Sequence, residues 1–213
     1  MKLFVLDNDM TLVDSSLVFH RAYSKALEKW GYKPLSFEEF WVRFCRDELI
    51  VPPGAPEAMF WECFKKEYIA RSPRDIKPMP GARELLEEIN KNGDYAIVVS
   101  GRGVDPSVLW EELRLLGLSD YIKEVHTLVG SGSGNPFDKT QVIRKAIEKL
   151  KPSMCIMIGD YMEDMKAARK AGCLAIGVTT GCKTPDKLRE AGAHYVVPTL
   201  VEALDLLKSL GIL

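Results

Sequence analysis

Leu3-Phe4-Val5-Leu6-Asp7-Asn8-Asp9-Met10-Thr11 opens the chain, and Cys155-Ile156-Met157-Ile158-Gly159-Asp160-Tyr161-Met162-Glu163-Asp164 repeats its plan late in the sequence. In each stretch a short, unbroken apolar run passes directly into acidic residues. Such runs read as strands buried on both faces. The carboxylates then stand at the carboxyl ends of strands, the edge at which open parallel sheets bind their ligands. Two acidic clusters on one such edge suit a hard cation and the phosphate groups it accompanies.

From Gly81 onward, strand and helix alternate without a break. The pattern predicts helix 82–92, strand 95–99, helix 106–116, strand 124–129, helix 140–150, strand 154–158, helix 163–171, strand 174–178, helix 185–191, a short strand 195–197 and helix 201–210. Strict alternation specifies an α/β fold, a parallel sheet with helices on both faces.

Between the first strand and strand 95–99 lies too much chain for a simple crossover. Residues 16–77 read instead as an inserted all-helical module, with helices 20–30, 36–48 and 56–70, and Ser36 with Glu39 forming a capping box. The remainder, 1–15 and 78–213, forms the sheet domain. Twelve of the nineteen aromatic residues fall in the insert, which requires large side chains to build a core of its own. Arg43 and Arg46 in the insert are equally compatible with substrate contact and with solvation.

A chain of 213 residues with a net charge of −1 buries a substantial core and has no bulk attraction for nucleic acid. No apolar run is long enough for a membrane span, and no signal peptide precedes the first motif, so a cytoplasmic protein without nucleic-acid or membrane partners is expected. The five cysteines include no Cys-x-x-Cys pair. Cys155 and Cys173 lie in apolar stretches and read as buried thiols rather than disulfide partners, in keeping with a reducing compartment. His20, His126 and His194 are scattered and read as solvated or capping residues.

The stretch from Asp7 to Ser15 resembles the signature of the haloacid dehalogenase superfamily of phosphohydrolases. Val98-Val99-Ser100-Gly101-Arg102, Lys139 and the Gly159–Asp164 stretch are similar to its second, third and fourth motifs, in order, and Ala175–Gly181 with Ala191–Val197 resembles the end of phosphoglycolate phosphatase relatives. The resemblance covers the chain from end to end. It implies a Rossmann-like core with an inserted helical cap, and a phosphoric monoester hydrolase that uses Mg2+ on a small phosphorylated metabolite.

By the same resemblance, Asp7 is the nucleophile that takes up the phosphoryl group, and Asp9 is the general acid and base. The metal falls to the Asp7 carboxylate, the Asp9 carbonyl, Asp160 and Asp164. Phosphate binding falls to Thr11, Ser100, Gly101 and Lys139. The chemistry is consistent: a carboxylate can accept a phosphoryl group, and crowding or burial can keep a neighbouring carboxyl protonated. Residues 7 and 9 share one side of a strand, with Asn8 turned away. Asp160 and Asp164, four apart at a helix start, are expected on one helix face.

Three features stand apart from the pattern. Asn135, directly after Gly134, competes with Lys139 for the third motif. The run Gly130-Ser131-Gly132-Ser133-Gly134 lacks the P-loop spacing and reads as a loop. Met10 occupies a position that is usually glycine in close relatives, where a side chain restricts the turn. Two alternatives to a phosphatase remain: a phosphosugar mutase on the same core, and a non-catalytic phosphate-binding or switch protein. Whether the protein is a monomer or a dimer is not legible.

Overall fold

A computed structural model describes residues 1–127 and 138–213. Six strands form one sheet: β1 Leu3–Leu6, β2 Tyr95–Ser100, β3 Glu124–Thr127, β4 Cys155–Gly159, β5 Leu174–Val178 and β6 Tyr195–Val197. Every pairing is parallel, and the spatial order is β3-β2-β1-β4-β5-β6. This is the doubly wound order, in which the direction of winding reverses beside β1. The crevice at that reversal lies between the carboxyl ends of β1 and β4.

Nine helices are found among the described residues: α1 Ser16–Lys29, α2 Phe37–Cys45, α3 Glu57–Ile69, α4 Ala82–Lys91, α5 Pro106–Leu115, α6 Thr140–Leu150, α7 Met162–Ala171, α8 Pro185–Glu190 and α9 Leu200–Ser209. The chain folds as two compact units, Met1–Val13 with Pro78–Leu213, and Asp14–Lys77. All six strands lie in the first unit.

All four residues of β1 are fully buried, as a central parallel strand covered on both faces requires. Leu3 and Val5 join Ile97, Val99, Met157 and Ala175 in one cluster with Ile143 of α6 and Met165 and Ala168 of α7. Alternate residues Phe4 and Leu6 face the opposite layer. In the second unit, α1 to α3 enclose Tyr23, Ala26, Leu27, Phe40 and Phe60, with Phe19, Trp41, Phe44 and Phe64 packed against them. The expected capping box opens α2: Glu39 N–H donates to Ser36 Oγ (3.2 Å), and Ser36 N–H donates to Glu39 Oε2 (3.1 Å).

One expectation is overturned. Cys155 and Cys173 are joined by a disulfide, with their Cα atoms 4.6 Å apart. The cause is register: Ile156 pairs with Leu174, so the residues just before them face each other on adjacent strands. Cross-linking a loop of this length contributes on the order of 3 kcal/mol. The argument for a reducing compartment from absent disulfides loses its support. Cys63 is free, and no helix among the described residues is long and apolar enough to cross a membrane.

Candidate active site

β1 delivers Asp7 in extended conformation, with Asp7 N–H donating to Ile158 O (3.0 Å) as a continuation of the β1/β4 ladder. The chain turns immediately afterwards. The Asn8 carbonyl accepts from the N–H groups of Thr11 (3.4 Å), Leu12 (2.9 Å) and Val13 (2.9 Å), which closes a tight loop around Asp9 and Met10. Met10 sits in this loop at φ +63°, in the left-handed region. A side chain there costs about 1–2 kcal/mol relative to ordinary backbone, so the turn demands a glycine-like conformation that methionine adopts under strain. Asn8, in the turn beyond the strand, is wholly buried, and neither of its amide atoms has a hydrogen-bond partner among the described residues.

β4 delivers the second acidic pair, by a route that differs from the expected helix face. Asp160 lies on the strand exit, ahead of α7, while Asp164 occupies the first turn of that helix. Asp164 Oδ2 accepts from Tyr161 N–H (3.2 Å), so this residue also closes the helix N-terminus. Gly159 makes the approach possible: a Cβ added there would lie 2.6 Å from Asp164 Cγ.

These elements bring Asp7, Asp160 and Asp164 together. All three are buried, and one carboxylate oxygen from each lies within 4.8 Å of the others. Lys139, just before α6 and 4% exposed, donates from Nζ to Asp7 Oδ1, and its Nζ lies 2.7 Å from Asp164 Oδ1. Thr11 Oγ1 donates to Asp160 Oδ1 (2.7 Å). This is the hydroxyl expected to bind substrate, and its proton is directed at the Asp160 carboxylate.

Three buried carboxylates share one ammonium, and the titration behaviour follows. Burial pushes the Asp7 carboxyl up to about 7, against the opposing pull of Lys139 and with the help of Asp164 and Asp9. Burial also holds Asp160 well above the usual carboxylate range, with Asp7 and Asp164 adding to the effect. Burial works against the charge on Lys139, but Asp164 and Asp7 outweigh it and raise its pKa, so the lysine is a fixed cation.

Asp9 is half-buried within the β1 turn. Ser100 ends β2 on the same sheet edge, with Gly101 next, and Ser100 Oγ accepts from Arg102 N–H (3.2 Å). The Arg102 guanidinium meets Glu112 of α5 at 2.6 Å, both side chains 4% exposed, and so ties the Ser100 loop to a helix. Sequence reading passed over this pair, whose members are ten residues apart with a turn and a helix start between them. Asn135 and the run from Gly130 to Gly134 lie outside the described residues. His20 Nε2 lies 2.8 Å from Leu35 O, His126 contacts the Glu124 carboxylate, and His194 Nδ1 accepts from Ala175 N–H, so each histidine has a partner other than Asp7, Asp160 and Asp164.

The sequence profile of the family described as Haloacid dehalogenase-like hydrolase matches residues 4–178. A phosphoglycolate phosphatase of Vibrio parahaemolyticus is 27% identical over 96% of this chain and 95% of its own length. A 5'-nucleotidase of Pseudomonas aeruginosa is 29% identical over 90% and 89%. Among solved structures, a hydrolase from Pseudomonas syringae superposes with a TM-score of 0.70 at 23% identity, covering 98% of this chain and 99% of the other. These last values speak for the fold.

Proposed function

The chain belongs to the haloacid dehalogenase-like hydrolase family, and on that premise we propose that it hydrolyses a small phosphomonoester through an aspartyl phosphate formed on Asp7, with Mg2+ as cofactor. The observation that carries the reading is the charge imbalance of the site, three buried carboxylates against one ammonium. The donor set is all oxygen, and with its carboxylates ionised it carries excess negative charge, which fits a hard divalent cation. Asp7, Asp160, Asp164 and the Asp9 carbonyl are the groups proposed to hold it. When bound, Mg2+ supplies charge neutralisation at the phosphoryl oxygens.

In the proposed reaction an Asp7 oxygen attacks phosphorus as the ester P–O bond breaks, and Asp9 gives its proton to the leaving alkoxide. Asp9 then takes a proton from water. The hydroxide attacks the acyl phosphate, which releases inorganic phosphate and restores Asp7. Lys139 holds one Asp7 oxygen and offers fixed positive charge where the transferring group gathers negative charge. Ser100 and Gly101 are assigned to the phosphate oxygens, and the helical unit 14–77 to the selection of substrates as a cap. A cytoplasmic location is proposed with this reading.

Turnover of p-nitrophenyl phosphate with and without Mg2+ tests the class, and a panel of phosphorylated metabolites that begins with phosphoglycolate and nucleoside 5'-monophosphates tests the substrate. Metal-dependent release of phosphate is the expected result. A folded protein inert toward the whole panel would overturn the reading.

A further inference from the structure

A third strand exit, which none of the four motifs includes, touches both acidic loops. The chain leaves β5 through a single turn of 3-10 helix, Thr179–Gly181. Thr180 Oγ1 donates to the carbonyl of Met10, the strained residue of the first motif. Gly181, next in sequence and buried, backs onto Asp160: a Cβ added to it would lie 2.6 Å from Asp160 Cγ and 2.9 Å from its Cβ. Asp160 in turn accepts from Thr11 Oγ1 (2.7 Å). The contacts therefore close a ring through three strand exits, from Met10 and Thr11 to Asp160, to Gly181, to Thr180 and back to Met10.

Each member of this ring lacks freedom that an ordinary loop residue has. A residue with a side chain at φ +63° holds that conformation only where its surroundings over-determine it, and the Thr180 hydroxyl fixes the carbonyl of that peptide. Asp160 has a short side chain with two rotatable bonds. Bonded at one oxygen and backed by Gly181, it cannot retreat from an added methyl group without losing the Thr11 hydrogen bond. The backbone of Gly181 is outside the left-handed region, so alanine is conformationally allowed there, and the obstruction is purely one of space.

We propose that Thr180 and Gly181 are positioning residues of the metal site, Thr180 fixing the turn that carries the Asp9 carbonyl and Gly181 setting where the Asp160 carboxylate stands. The proposal rests on the Mg2+-dependent reading above. It assigns to the β5 exit a part in metal affinity that the motifs leave to Asp7, Asp9, Asp160 and Asp164 alone.

The test is the Mg2+-induced rise in melting temperature, titrated for the whole chain and for Gly181→Ala, Thr180→Val and Thr180→Ser, alongside the Mg2+ dependence of p-nitrophenyl phosphate turnover. Ligand that binds the folded state at free concentration c raises its stability as RT ln(1 + c/Kd), so the concentration at which the rise sets in reports affinity without any turnover. Gly181→Ala is expected to move that onset to at least about tenfold higher Mg2+, with the metal-free circular dichroism unchanged. Thr180→Val should move it by a smaller factor, with Thr180→Ser restoring it. Loss of turnover should be largely recovered at saturating Mg2+, which a merely structural role would not produce. Should Gly181→Ala fail to fold, the Val and Ser pair at Thr180 decides. A wild-type protein that Mg2+ stabilises, with variants that match its onset concentration within about twofold, overturns the proposal. A wild-type protein that Mg2+ does not stabilise overturns the functional reading first.

Discussion

In the sheet unit, Asp7, Lys139, Asp160 and Asp164 are buried together at one edge, whereas the helical unit buries chiefly rings and alkyl groups, among them Tyr23, Phe40 and Phe60. Even the buried Arg71 of that unit donates to an aromatic partner, the Tyr68 hydroxyl, at 2.9 Å. The difference decides what a sequence can say. A cluster of buried charges is costly unless each group has its partner, so the residue types and their places are dictated one by one. An aromatic core has to supply volume and shape, and many combinations of Phe, Trp, Tyr and Leu do so. The first region therefore states its chemistry, and the second states only that it folds.

The sharpest way to break this comparison is Asp7→Asn. The change is nearly isosteric, and an amide cannot accept a phosphoryl group as a carboxylate does, so turnover should fall by on the order of 10,000-fold or more. Circular dichroism and the melting temperature should stay close to wild type. Activity preserved in such a folded variant would remove the covalent mechanism and leave the buried charges without a reactive role.

Next in size is Phe60→Ala, at a wholly buried ring of the helical unit. Removing a buried phenyl group costs about 3–5 kcal/mol, and the loss belongs to the unit that contains it. Hydrogen exchange should show α1 to α3 losing protection while β1, β2 and β4 keep theirs. Equal loss in both would mean that the two cores unfold as one, and the contrast drawn between them would fail energetically.

Lys139→Ala addresses the cation rather than the carboxylates. If the ammonium stabilises charge that develops on the transferring group, its loss should lower kcat by on the order of 100-fold or more, roughly 2.7 kcal/mol. Asn135→Ala should stay near wild type. The reverse outcome would move the third motif to Asn135, despite the contacts that Lys139 makes with Asp7 and Asp164.

The strands and helices of the sheet unit were legible because their periods are local: β1 and β4 are apolar runs, and Gly93, Gly117 and Gly172 close the helices before the next strands begin. The carboxylates were legible as a set, but Asp160 does not share a helix face with Asp164, since it stands at the strand exit two residues before the first helical residue, Met162. What stayed hidden depends on register between distant segments. Cys155 meets Cys173 only because β4 and β5 pair as they do. Thr11 faces Asp160 and Gly181 backs onto it only once three strand exits converge. No local pattern marks such meetings, because each partner looks ordinary in its own segment.

The smallest effect compares the same local device in the two units. Ser36 and Glu39 form the capping box of α2 in the helical unit, and Thr199 and Glu202 form that of α9 in the sheet unit, where Val201 N–H donates to Thr199 Oγ1 at 3.1 Å and Thr199 N–H donates to Glu202 Oε2 at 3.1 Å. Removal of either cap by Ser36→Ala or Thr199→Ala strands a helix N–H and should cost about 1 kcal/mol. The readouts should nevertheless differ. The helical unit is the smaller one, buries a smaller share of its surface and has less stability in reserve, so an equal loss opens it more often. Exchange of α2 amides in Ser36→Ala should accelerate toward the global opening rate of that unit, whereas Thr199→Ala should quicken only the first turn of α9. Matching local effects in the two variants would show that the helical unit has as much stability in reserve as the sheet unit, and that its aromatic core is no weaker a frame than the strands that carry the charges.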